Sequence, residues 1–325
     1  MVDNNTTANH LQQHPGFTQV FQEGKLTFGF VAPMDGYPNG PLPDMANYEK
    51  LVRKADTAGV DVIWLRDVPF LDPLFGDAGQ VLDPLVYAGW LSGITKRMAI
   101  GTAGIVLPLR DPLIVAKQAA SIDHLSGGRF LLGLASGDRY SEYPAFGVNF
   151  ENKAARYREA RDIIRVVTEN EFPQHQSQYY GVMDGGIDLI PKPVTHHLPT
   201  IAIGRAGQTM EWIAENTDGW IWHGADARRM VDVIPRWKAA TNGVFKPYGY
   251  GLFFDLSDNP DEPIFFGRTM LRGGRNQLIR FWEEQLQAGL SHAVLNLKPT
   301  RRPAEDIIEE FGTYIIPYFR SLSVK

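Results

Sequence analysis

The chain has no cysteine among its 325 residues. Disulfides, thiolate metal sites and a cysteine nucleophile are therefore excluded. No apolar run approaches the roughly 20 residues that a membrane helix needs. An excess of positive charge is missing too: 32 Lys and Arg stand against 37 Asp and Glu, for a formal net charge of -5. A general nucleic-acid binder draws its affinity from counterion release at phosphates, and this balance does not fit one. The N-terminus, MVDNNTTANHLQQHPG, lacks a positive region followed by an apolar stretch and does not read as a secretory signal. No membrane association is expected, and a cytoplasmic enzyme is the default. Common chemistry motifs are also absent: no G-x-S-x-G, no H-E-x-x-H, no Walker loop and no G-x-G-x-x-G after a strand. His196-His197 has no carboxylate at ligand spacing. It reads as a solvated loop, and no metal site is expected.

What the chain does have is apolar content, 44% hydrophobic against 21% charged. That suits one large core and argues against disorder. Residues 1–24 read as a polar arm, and residues 25–325 as one domain in which strands and helices alternate. Strands are expected at Leu26–Pro33, Val60–Leu65, Met98–Val106, Arg129–Ala135, Thr200–Ile203, Gly219–Trp222, Tyr248–Leu256 and Ala293–Leu297. Between them, Asp44 caps a helix to Thr57, and Asp83-Pro84 and Asp111-Pro112 each open one as N-cap and N1. Further helices are expected over Asn152–Asn170, Gly207–Asn216, Asp226–Thr241, Asn276–Ala288 and Pro303–Ser321. Eight strand–helix pairs point to an α/β fold, a (β/α)8 TIM barrel with insertions on its C-terminal face. Those insertions, Arg66–Leu82, Arg139–Glu151 and Ser257–Arg275, all follow strands, where such barrels build active sites. Glu171–Leu198 follows a helix; Tyr179-Tyr180-Gly181 and Ile187–Ile190 suggest a hairpin covering the barrel bottom.

A barrel gathers Arg66-Asp67, Ala103-Gly104, Ser136-Gly137-Asp138, Gly204-Arg205 and Trp222-His223 at one rim. Small residues there leave room for a flat ligand against backbone. In Arg205-Ala206-Gly207-Gln208-Thr209, a loop with an arginine enters a helix, which suits a phosphate monoester. Gly207 and Thr209 serve equally well as ordinary capping residues, so the residues alone leave both readings open.

IGTAGIVLPLRDPLIVAKQAASIDHLSGGRFLLGLASGDR (Ile100–Arg139) resembles the strand-three to strand-four core of the bacterial luciferase-like flavin monooxygenases. TIAIGRAGQTMEWIAENTDGWIWHG (Thr200–Gly224) is similar to their phosphate-binding segment. The resemblance implies a barrel that binds reduced FMN, or in some relatives the deazaflavin F420, at its C-terminal face. It sets Arg205, Ala206, Gly207, Gln208 and Thr209 on the phosphate and brings Ser136 and Gly137 near the phosphate or ribityl chain. Thr102, Ala103 and Gly104 fall under the flavin ring, with Ala103–Gly104 the candidate for a cis peptide.

Reduced FMN would come from a separate flavin reductase, and oxygen would enter a small-molecule substrate. Relatives are often homodimers or homotetramers. One departure stands out: the histidine that luciferases carry after strand two is replaced here by Arg66-Asp67. Long-chain aldehyde chemistry therefore does not carry over. Asp67 as base, Arg66 as an anion holder and His223 as acid/base are the catalytic candidates. An ion pair between or beyond the first two and a core position for the third are the structural alternatives. Asp138 and Arg139 open a loop that would gate the pocket. An F420-dependent hydride transfer and a non-catalytic flavin-binding barrel remain alternative functions.

Overall fold

In the computed structural model, residues 10–223, 230–267 and 269–322 are described, and the side chains of residues 223, 230 and 231 are not among them. Eight parallel strands close on themselves: β1 (Thr27–Val31), β2 (Val62–Leu65), β3 (Ala99–Thr102), β4 (Phe130–Ala135), β5 (Thr200–Ile203), β6 (Gly219–His223), β7 (Tyr248–Leu256) and β8 (His292–Asn296). Closure runs through the pairings of β6 with β7, β7 with β8 and β8 with β1. Between them lie α1 (Tyr48–Ala58), α2 (Pro84–Ile94), α3 (Pro112–Ser126), α4 (Lys153–Glu169), α5 (Met210–Asn216), α6 (Met230–Ala240), α7 (Arg275–Ala288) and α8 (Ala304–Glu310). The molecule is a (β/α)8 barrel. No helix among the described residues is long and apolar enough to cross a membrane.

Local chemistry explains the helix ends. Asp83 and Asp111 each accept two backbone N–H groups at the start of α2 and α3, with Pro at N1. Gly59, at φ 98°, ends α1 in the left-handed conformation that glycine adopts without a Cβ penalty. Asp44, expected to cap α1, instead accepts from the N–H of Ala46, and the helix begins four residues later at Tyr48.

The bore is packed solid. The Trp64 indole lies across it, and a Cβ on Gly29 or Gly101 would come within 2.6 or 2.4 Å of that ring. Glycine is needed on both neighbouring strands because the indole occupies their side-chain space. Below the indole, the polar arm carries a helix, Pro15–Val20, whose Phe17 and Val20, with Phe21, pack among the inward residues Val62, Ala99, Leu131 and Ile201. His14 anchors that helix from a fully buried position: Nδ1 accepts from the Phe17 N–H, and Nε2 pairs with Asp123 at 3.0 Å. Residues 14–21 therefore form the floor of the barrel.

The hairpin expected there lies elsewhere. Its strands are Gln174–Ser177 and Gly181–Asp184, and Ile187–Ile190 is not a strand. It rests on the outer face of α4, where Glu159 accepts from the Gln178 N–H and the Tyr180 hydroxyl donates to the Arg156 carbonyl. A second difference concerns strand three, expected as one run over Met98–Val106. It stops at Thr102 and resumes at Ile105–Val106, and the Ala103–Gly104 peptide between is cis. The 257–275 insertion also contains a strand, Met270–Gly273, which pairs parallel to β7.

Candidate active site

The rim where β3, β4 and β5 end is built from close backbone approaches. The Thr102 hydroxyl accepts from the Gly133 N–H at 2.9 Å and donates to the Gly133 carbonyl at 2.8 Å. A Cβ on Gly133 would come within 1.7 Å of the Thr102 carbonyl oxygen. Thr102 is thus consumed in holding β3 against β4 and is fully buried. Above it, the cis peptide crosses Ile203, whose Cγ1 would lie 2.7 Å from a Cβ on Gly104. Ala103, Ala135 and Ile203 form a flat apolar shelf that larger side chains would fill.

On the next strand end, α5 begins at Met210, three residues later than expected, with Thr209 as its N-cap accepting from the Trp212 N–H. Residues 205–208 are consequently loop. Among the described residues, no acceptor takes the backbone N–H groups of Ala206, Gly207 or Thr209. Ala206 and Gly207 both have positive φ, 49° and 71°, so the chain curls tightly here. A Cβ on Gly207 would approach Ala154 Cβ to 2.9 Å, and the Gln208 amide donates to the Ala154 carbonyl. Gln208 is thereby a brace between this loop and α4, its amide donating also to the Ala206 carbonyl. Arg205 is exposed, has no ion pair among the described residues, and lies 5.8 Å over the Trp222 ring. That indole stacks on Trp220, whose N–H donates to the Gly204 carbonyl at 2.7 Å. A seven-residue helix has little dipole to offer, so the anion-binding capacity rests on the loop N–H groups and Arg205.

The contact with Ala154 sets the start of α4 against this loop, and with it Lys153, which sequence reading passed over. Its ammonium lies 3.6 Å from the centre of the Phe150 ring, and burial lowers its pKa against the pull of Asp138 and Glu151. Gly137, at φ 73°, turns the chain where a Cβ would collide with Val106 Cγ1 at 2.6 Å. The Tyr143 hydroxyl donates to the Ser136 carbonyl, and the buried Ser136 hydroxyl has no partner among the described residues.

Asp67 and Arg66 occupy ion pairs. Asp67 is clamped by Arg110, Nε at 2.8 Å on Oδ2 and Nη2 at 2.6 Å on Oδ1, and Oδ2 also accepts the Val106 N–H. Arg66 pairs with Asp77 at 2.5 Å and exchanges backbone hydrogen bonds with the Gln80 amide. Against the desolvation of its burial, Arg66 and the Gly79 N–H hold Asp77 below the ordinary carboxylate range. His223 ends β6, its backbone paired with Gly251, and its side chain lies outside the described residues.

The insertions after β2 and β4 are fastened to each other. Arg139 donates to the carbonyls of Asp77 and Phe70 and lies over the Phe75 ring at 4.9 Å. Ser141 donates to Asp72, and the Phe70 and Phe146 rings are 5.8 Å apart. Arg139 is a tie between loops, while Asp138 is exposed. Under this junction sits Glu142, 3% exposed, with Oε1 enclosed and unpartnered. Nothing in the sequence marked it, because no spacing or neighbour distinguishes it from a solvated helix residue.

His197 also differs from its expected place in a solvated loop. It is buried between Glu169 and Asp218, at 2.7 and 2.9 Å, on the barrel underside away from the rim. Both carboxylates come from other elements, which is why spacing could not reveal them.

The family model described as luciferase-like monooxygenase matches residues 24–259. A Mycobacterium tuberculosis protein with the provisional name coenzyme F420-dependent oxidoreductase is 32% identical over 186 residues, 54% of this chain and 50% of that protein. The alkanal monooxygenase alpha chain of Photorhabdus luminescens is 24% identical over 208 residues, 62% of this chain and 54% of that one. The chain thus spans about half the length of the curated relatives it matches. Among solved structures, the monooxygenase RslO1 of Streptomyces bottropensis superimposes with a TM-score of 0.74 at 13% identity, covering 90% of this chain and 99% of that one. A likeness at that identity shows the shared barrel.

Proposed function

The chain belongs to the luciferase-like monooxygenase family, and from that premise we propose that it binds reduced FMN at the barrel rim and uses dioxygen to oxygenate a small organic substrate. The observation that carries this reading is the set of backbone N–H groups of Ala206, Gly207 and Thr209 and the Arg205 guanidinium, without hydrogen-bond or ion-pair partners among the described residues, beside the apolar shelf of Ala103, Ala135 and Ile203. The residues fit the group. The N–H donors of Ala206, Gly207 and Thr209 and the Arg205 guanidinium would take the phosphate, with Lys153 and the Ser136 hydroxyl within the same rim. Ala103, Gly104 and Ala135 would lie under the ring.

When bound, reduced flavin supplies the electrons that activate oxygen. The chain's own part is to orient and to keep water out. Arg139 and Ser141 fasten the two insertions together, and the part-exposed rings of Phe70, Phe75 and Phe146 at that junction would supply apolar surface to a chamber closed over the rim. Asp67, with both oxygens engaged, would hold Arg110 and the turn after β3 in place; Arg66 would do the same for Asp77. His223 keeps the acid/base proposal made for it. A separate reductase would supply the reduced flavin.

The likeness to the F420-named mycobacterial relative favours a second reading, hydride transfer with a deazaflavin and no oxygen uptake. Titration of the purified protein with FMN, reduced FMN and F420, followed by oxygen-consumption assays, tests both. Tight binding of F420 with no binding of FMN would overturn the oxygenase reading.

A further inference from the structure

We propose that Glu142 is the residue that holds the exchangeable proton at the barrel mouth, and that the molecule it meets there presents an uncharged oxygen, a carbonyl or hydroxyl, instead of a carboxylate. This rests on the reading of the mouth as a flavin and substrate chamber. Glu142 opens the short helix Glu142–Ala145 in the β4 insertion, 97% removed from solvent, and Oε1 has no hydrogen-bond partner among the described residues. Buried polar atoms are almost always paired, and an enclosed carboxyl without a partner is costly. None of the side chains around it donates to Oε1. Arg139 donates to the Asp77 and Phe70 carbonyls, Asp67 is held by Arg110, and Asp72 accepts from Ser141 and the Leu74 N–H. On its own helix, the Tyr143 hydroxyl is turned away to the Ser136 carbonyl. Among the described residues, nothing partners Oε1, which leaves it open to a group from outside.

The charges facing Glu142 define that group. Burial comes first, and Asp67, Asp138 and Asp72 add to it against the single attraction of Arg139, pushing the carboxyl up to about 7. At neutral pH it therefore exists in comparable amounts as a donor and an acceptor, the condition for passing a proton in either direction. With Asp67 offset by Arg110, Asp138 and Asp72, which have no ion pair among the described residues, repel an incoming anion beside Glu142, whereas a carbonyl or hydroxyl oxygen accepts from the protonated form and carries no charge to repel.

The test begins without flavin. Infrared titration of the protein labelled with 13C-glutamate, between about pH 5 and 9, should show a protonated-carboxyl band that disappears near pH 7 and is missing in Glu142→Gln. Loading the wild type with FMN should then shift that band, which a carboxyl buried only for structure would not show. Cyclohexanone should shift it further, and cyclohexanecarboxylate should not. A glutamate band titrating in the ordinary range, or one unmoved in protein that has bound FMN, overturns the proton assignment. A carboxylate that moves the band, or a ketone that does not, overturns the substrate class. If FMN fails to bind while the band still titrates near 7, the flavin reading falls and the unusual proton of Glu142 stands apart from it.

Discussion

The indole N–H of Trp64 donates to Nε2 of His292, 2.9 Å away across the bore of the barrel. With Nε2 accepting, the proton belongs on Nδ1, which lies 2.7 Å from the Thr27 hydroxyl, and that hydroxyl donates to the Val20 carbonyl. One chain of hydrogen bonds thus runs from the packed bore to the floor helix. Burial pushes His292 down to about 3, so it stays neutral and keeps this role at physiological pH. Removing the acceptor with His292→Leu leaves a buried donor unpaired and should cost about 1–3 kcal/mol in a urea melt.

Gly101 should not accept a side chain while Trp64 is present. Gly101→Ala forces a Cβ into the indole and is expected to cost about 1–3 kcal/mol. The same substitution in a Trp64→Leu background should cost less. Equal costs in the two backgrounds would show that the ring is not what excludes the methyl group.

Stability should fall with rising pH on the alkaline side. Burial works against a charge on His197, but Asp218 and Glu169 outweigh it and lift the imidazole to about 9. The folded state then holds a proton that the unfolded chain releases near 6.5. The contribution is complete below 6.5 and is lost as pH rises through 9. Its size is on the order of 3 kcal/mol, one pKa unit being about 1.4 kcal/mol. Chemical melts at pH 6 and pH 9.5 should differ by this amount in the wild type and lose that difference in His197→Gln.

Arg205→Ala should weaken FMN binding by about 1.5 kcal/mol, roughly tenfold and at the low end for a charged hydrogen bond, because the guanidinium is exposed. Fluorescence titration measures it, and unchanged affinity removes the phosphate assignment. Gly207→Ala should also weaken FMN, since it strains a positive φ and collides with Ala154.

Asp67→Asn tests whether that carboxylate is chemical or architectural. Breaking a pair in which Asp67 is nearly buried should lower stability by about 2–4 kcal/mol, with any residual activity keeping the wild-type pH profile. A lost limb of that profile would restore the role of base. His223→Ala, by contrast, should slow product formation while leaving flavin affinity near the wild-type value.

The alternation of apolar strands with capped helices was readable along the chain because it is local. Asp83-Pro84, Asp111-Pro112 and Gly59 act within a turn of themselves, and eight such cycles leave little choice but a closed barrel. The strand-to-helix turn at residues 205–209 was readable as well, since an arginine, a glycine and a hydroxyl there are neighbours in sequence. Tertiary structure alone decided what depends on meetings between distant segments. It paired Asp67 with Arg110 and Arg66 with Asp77, set His197 between two carboxylates, and placed residues 14–21 in the barrel floor. It also left Glu142 buried beneath two insertions, with Oε1 unpartnered among the described residues. Burial and charge partnership are properties of a point in space, and a linear order of residues carries them only where the chain happens to meet itself close by.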